Sequence, residues 1–116
     1  MSNPSARKGA AWESDCITYL REQGFKHAER RVPTGLFDRG DVAGIRNVVI
    51  EAKNCAKFEP GSFTDQAIKE ANNAIADIGV AFVKRRGKGT AQGYALTDIE
   101  TMVRMLRFIE DMGGMS

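Results

Sequence analysis

Three side chains set the first question, Asp41, Glu51 and Lys53. Hard divalent cations such as Mg²⁺ take oxygen ligands, usually one or two carboxylates with several waters. A bound ion of this kind lowers the pKa of its water and polarises a phosphoryl oxygen. An ammonium beside it orients the attacking water and offsets charge on the phosphate in the transition state. The chemistry these residues would support is in-line hydrolysis of a phosphodiester. Of the fifteen acidic residues, only Glu51 has a lysine two positions on.

The elements that carry the trio must bring it together. Val48 to Lys53 reads as a strand whose side chains alternate, so Glu51 and Lys53 share one face with Val49, while Val48, Ile50 and Ala52 take the other. Asp41 to Gly44 reads as the preceding strand. A two-residue turn at Arg46-Asn47 would send Asp41 to the wrong face. A three-residue turn, Ile45-Arg46-Asn47, sets Asp41 opposite Glu51, and Asn47 tolerates the left-handed conformation such a turn needs at its last position.

Along the rest of the chain, Trp12, Cys16, Ile17, Tyr19 and Leu20 recur at helical spacing between Ser5, an N-cap candidate, and Gly24, a stop. Phe25 to Val32 reads as an edge strand, and residues 33–40 as a loop. Ser62 is expected to cap a helix from Phe63 to about Ile78, with Phe63, Ala67, Ala71, Ala74, Ile75 and Ile78 as its apolar stripe and Gly79 as its end. Val80 to Lys84 and Gly93 to Leu96 read as strands around a glycine-rich turn. Thr97 with Glu100 suggests a capping box for a last helix ending near Met112. Residues 1–4 and 113–116 read as loose ends. The order is α-β-β-β-α-β-β-α, one α/β (α+β) domain spanning 1–116 with a central sheet flanked by helices.

With 42% apolar and 28% charged residues the composition is that of a soluble globular protein. No run of apolar residues is long enough to span a membrane, so a membrane partner is not expected. The N-terminus has no apolar signal region, and Cys16 and Cys55 lack metal-ligand spacing. Reduced thiols and a cytoplasmic location (the host cytoplasm for a viral protein) are the expectation. The single histidine, His27, cannot build a zinc site. The net charge of +2 says little, but the cations are clustered. Arg7, Lys8, Arg30, Arg31, Arg39, Arg85, Arg86 and Lys88 are candidates for neutralising DNA phosphates.

Gly40-Asp41-Val42-Ala43-Gly44 followed by Val48-Val49-Ile50-Glu51-Ala52-Lys53 resembles the motif of the PD-(D/E)XK nuclease superfamily, with Gly40 where the name has proline. Arg7-Lys8-Gly9, Glu13, Leu20 and Gly24-Phe25 are similar to the opening helix of archaeal-type Holliday junction resolvases. The resemblance implies a restriction-endonuclease-like core with a mixed central sheet. It adds Glu13 as a fourth catalytic residue and as a metal ligand with Asp41 and Glu51, with Asp15 as its rival on the same helix. It also suggests Gln66 as a supporting residue. Apart from the resemblance, Asp38 is a further carboxylate that could lean on the metal from the loop. Mg²⁺ would be the cofactor, with Mn²⁺ able to substitute. The substrate would be a four-way DNA junction, and symmetric cutting requires two sites, hence a homodimer. The last helix, with Met102, Val103, Met105, Leu106, Phe108, Ile109 and Met112, offers either a broad core contact or the dimer surface. Two other readings stand beside it: a PD-(D/E)XK endonuclease acting on flaps, nicks or duplex DNA, and a DNA-binding module without catalysis.

Overall fold

The structure, a computed structural model, describes residues 4–32 and 39–113, and of residues 4–6 the backbone alone. Asp38 and the rest of the loop 33–38 fall outside the described residues, as do the terminal residues 1–3 and 114–116. The elements run α1 (Pro4–Glu22), β1 (Glu29–Arg30), β2 (Val42–Ala43), β3 (Val48–Lys53), α2 (Pro60–Asn73), β4 (Ile78–Val83), β5 (Tyr94–Leu96) and α3 (Ile99–Gly113). The five strands form one sheet in the order β1-β2-β3-β4-β5. Neighbours are antiparallel except β3 and β4, which run parallel through the α2 crossover. The molecule is therefore an α/β domain with a mixed sheet between helices.

Each face of the sheet has its own apolar cluster. Ile17 and Leu20 of α1 pack with Ala28, Val42 and Ile50 on one side. Phe63 and Ala67 of α2 pack with Ala81 and Val83 on the other. Trp12 fastens α1 to the sheet, because its buried indole N–H donates to the Phe82 carbonyl at 2.9 Å. Gly24, at φ 105, closes α1 through paired bonds from Phe25 N–H to Leu20 O and from Gly24 N–H to Arg21 O.

Several boundaries depart from the sequence expectations, each for a local reason. Helix α1 starts at Pro4, so Ser5 lies within it and does not cap it. The first strand is only Glu29–Arg30, because Ala28 N–H turns back onto Phe25 O and delays pairing. Helix α2 starts at Pro60 rather than after Ser62, since proline suits the first helical turn, where no N–H partner is required. It ends at Asn73, well before Ile78, because Ile75 adopts a left-handed conformation at φ 55. Ala76 N–H then bonds Ala71 O, and Ile75 N–H bonds Asn72 O, an arrangement that glycine usually provides. Gly79 is not a helix stop but lies in β4, where a Cβ would run into the Ala67 carbonyl of α2. Asp98, not Thr97, caps α3: Thr101 N–H donates to its carboxylate at 2.8 Å. The Thr97 hydroxyl instead donates to Gly79 O. Both helix ends expected to be loose retain helical backbone as far as Pro4 and Gly113.

Candidate active site

Strand β3 spans Val48–Lys53 as its alternation predicts, and the hairpin before it fixes the site. Val42 pairs with Ile50, so the register sets Asp41, one residue outside β2, across from Glu51. Asp41 N–H bonds Ile50 O at 2.9 Å, continuing the ladder. The loop is the three-residue Ile45-Arg46-Asn47, with Val48 N–H turned onto Ile45 O and Asn47 left-handed at φ 61. Gly40 has φ 92, which proline cannot adopt, and a Cβ there would strike Val49. That geometry accounts for glycine at the position before Asp41.

Four acidic side chains approach one another, Glu13 from α1, Asp41 from the residue before β2, Glu51 from β3 and Glu70 from α2. Asp41 accepts a hydrogen bond from Ala52 N–H at 2.8 Å, which ties it to β3. Glu13, on α1, stands within hydrogen-bonding reach of Asp41 and is ion-paired to Arg30. Burial and the Asp41 charge raise the Glu13 pKa, while Arg30 opposes the rise. Glu51 is buried and lies 3.4 Å from the Lys53 ammonium. Gln66 of α2 donates to Glu51 Oε1 at 3.1 Å and, with the same amide nitrogen, to Glu70 Oε1 at 2.9 Å.

Glu70 is the member that sequence reasoning missed. It is only 2% exposed and reaches the Glu51 carboxyl. Its signal lay in the period of α2: Phe63, Ala67, Glu70 and Ala71 all face inward, so an acid occupies the apolar stripe one turn after Gln66. Burial first, then Glu70 and Asp41, push the Glu51 carboxyl up to about 10 against the pull of Lys53. The nearby Cys16 thiol is pushed up to about 12 by burial and by Asp15, Asp41 and Glu13, which makes it a poor nucleophile. Asp15, the rival of Glu13, is exposed and lines a shallow depression between α1 and residues 89–92.

Among the described residues no three of His, Cys, Asp and Glu form a group that could hold a metal ion by themselves. The chemistry of the site nonetheless fits a hard divalent cation carried mainly by water. No N–H or hydroxyl among the described residues reaches Glu51 Oε2, which is buried. A buried carboxyl crowded by other acids, as Glu51 is, is the group a cation would relieve. Asp41 and Glu51 supply the one or two protein ligands that Mg²⁺ requires.

The expected cations fall in different settings. Arg7 and Lys8 are exposed at the start of α1, and Asn54 donates to Lys8 O at 3.4 Å, which keeps that end beside the exit of β3. Because β3 and β4 are parallel, Lys53 and Lys84 lie together, joined by the Lys84 N–H bond to Lys53 O. The turn bearing Arg85 and the exposed Arg86 and Lys88 therefore lies at the same end of the sheet as Lys53. Arg39 is exposed just before Asp41. Arg30 is engaged with Glu13, Ser14 Oγ and Ala10 O, and Arg31 is half-buried.

Comparison with family models, with curated proteins and with solved structures finds no match to this chain. Among the described residues no helix is long and apolar enough to cross a membrane.

Proposed function

We propose that this protein is a metal-dependent, structure-specific DNA endonuclease of the PD-(D/E)XK type, with a restriction-endonuclease-like core, and that its substrate is a four-way DNA junction. The observation that carries the reading is the hairpin register. It sets Asp41 across from Glu51 and leaves Lys53 on the same face, 3.4 Å from the Glu51 carboxylate. A structural ion pair has no need of two further acids around its carboxylate, whereas a carboxylate perturbed by burial and neighbouring charge is a mark of a functional site.

Asp41 and Glu51 would hold Mg²⁺, and the ion would supply Lewis acidity and an activated water. Gln66 fixes the orientation of the Glu51 carboxyl, and Glu70 fixes Gln66 in turn. Lys53 steadies the attacking water and the charge on the phosphate. Glu13 braces Asp41 from α1, with Arg30 holding it in place. The cations of residues 7–8 and 84–88 surround this end of the sheet and suit recognition through phosphates rather than base edges.

A four-way junction has two scissile strands, so the proposal includes a two-fold dimer. Helix α3 supports it: Ile99 is 83% exposed, Ile109 66% and Met112 73%, with Met102, Val103, Leu106 and Phe108 also uncovered. So many uncovered apolar side chains on one helix mark a surface suited to a partner.

The test is cleavage of a labelled four-way junction with Mg²⁺ or Mn²⁺, beside linear, nicked and flap DNAs. Paired nicks on the junction alone, lost in Asp41→Asn, are the expected result. Cutting of the controls as well would keep the nuclease and remove the junction specificity. No cutting of any DNA by folded protein would refute the enzyme.

A further inference from the structure

Lys53 lies beside an aromatic group that the catalytic reading does not use. Tyr94 of β5 pairs with Val83, and Val83 pairs with Lys53, so Tyr94 and Lys53 occupy one rung of the sheet and point to one face. Phe58, in the connection from β3 to α2, packs against Tyr94 with ring centroids 5.2 Å apart. Phe58 also meets the buried Phe63 edge-on at 6.3 Å, and the Lys53 ammonium lies 5.8 Å from the Phe63 ring. Phe58 and Tyr94 are 50% and 43% exposed. Arg85, steadied by its bond to Gln92 O, sits over Tyr94 at 4.9 Å.

A single exposed aromatic side chain calls for no explanation. Here two touching rings are half open to water, backed by a buried third ring and flanked by a guanidinium. Tyr94 stands on the same rung as the ammonium assigned to the scissile phosphate, with β4 between them. Aromatic faces with cations beside them are what unpaired bases stack upon, because every base has a π-face and a phosphate on either side.

We propose that Phe58 and Tyr94 form a stacking platform for an unpaired nucleobase of DNA next to the bond that is cut. The proposal rests on the nuclease reading for its location and deepens it. The selected feature would be a base free to leave the helical stack, as at a branch point or a single-stranded extension, and a fully paired duplex would present none. Arg85 would stack with the base or neutralise its flanking phosphate, and Arg86 and Lys88 would follow the strand outward.

The experiment measures binding, not cutting, in chelator, so it reads the platform separately from the chemistry. Two DNAs of equal length are compared, a duplex with a single-stranded extension bearing a fluorescent aminopurine and a blunt duplex with that base paired. The wild-type protein should quench the extension probe and bind it more tightly than the blunt duplex. Phe58→Leu and Tyr94→Leu should each remove the quench and weaken binding to the extension roughly 5- to 100-fold, the range of one lost base stack. Affinity for the blunt duplex should stay within about twofold, since phosphate contacts remain. Phe58→Trp, which restores a π-face, should keep the quench. Equal losses on both DNAs, a quench that survives both leucine substitutions together, or a response to a ribonucleotide probe alone would overturn the proposal. Melting curves establish that each variant is folded. Cleavage with Mg²⁺, scored apart, tests the nuclease reading independently.

Discussion

Glu51 and Glu70 face one another between β3 and α2, both buried, and Gln66 donates to each of them. Two carboxyl groups so placed cannot both ionise at little cost, so without a cation the pair keeps a proton.

The first expectation concerns stability against pH. The Glu51 carboxyl, normally near 4.5, is pushed up to about 10 in the fold. Folding therefore favours its neutral form. That contribution is fully present below pH 4.5 and is lost as pH rises toward 10. In chelator the Tm should fall between pH 5 and pH 9. Glu51→Gln, permanently neutral, should flatten the fall and raise the Tm at pH 8 by several degrees, since ~1 kcal/mol corresponds to about 4–8 °C in a domain of this class. Millimolar Mg²⁺ at pH 8 should raise the wild-type Tm and leave that of Glu51→Gln nearly unmoved. Scanning calorimetry across pH checks all three.

Lys53 should matter for rate more than for affinity. Lys53→Ala is expected to slow junction cleavage by about 10²–10³-fold, the usual cost of one electrostatic group aimed at transition-state charge. Junction binding in Ca²⁺ should change only a few-fold. Single-turnover kinetics beside a gel-shift titration separates the two. A matching loss of binding would make Lys53 a grip on DNA and nothing more.

Gln66 should act on the metal. It touches Glu51 through one amide nitrogen, and supporting bonds of this kind are worth about 10–100-fold in metal affinity. Gln66→Leu should raise the Mg²⁺ concentration needed for half-maximal cleavage by that factor, with the rate at saturating Mg²⁺ less affected. Mg²⁺ titrations of the initial rate give the answer.

Ile75 is a stability reserve. A β-branched residue at φ 55 is strained, and the side chain is 92% exposed, so it has little packing to lose. Ile75→Gly should stabilise the protein by about 1 kcal/mol, read as an increased urea midpoint at unchanged m.

The uncovered face of α3 should self-associate. Leu106→Glu with Ile109→Glu is expected to shift sedimentation from dimer to monomer without lowering helix content. A monomeric wild type would leave the two-fold cutting model without its partner subunit.

How much of this could be read in the sequence depended on whether local pattern and packing agreed. Strand β3 and its three-residue turn were legible because alternation, Asn47 and the apolar run all favour one register. Gly79 was misread because a glycine after an alanine-rich helix looks like a stop, whereas its purpose is close contact with Ala67, which is apparent only in three dimensions. Ile75 could not be foreseen as a helix terminus, since its own preference opposes the conformation the chain imposes on it. The candidate site was legible as Asp41, Glu51 and Lys53. Glu70 escaped notice because an acid on an apolar stripe is normally a solvated neighbour and not a buried partner.

The parallel pairing of β3 with β4 has a consequence for the birth of the protein. Lys53 and Val83 are rung partners, yet the whole of α2 separates them in the chain. Loop closure over that distance precedes any reward from the ladder, so this step is expected to be late and slow. A nascent chain would therefore carry its acidic residues and its lysine well before it could hold them in place. On the proposed reading, any capacity to cut DNA would begin only when the fold is complete.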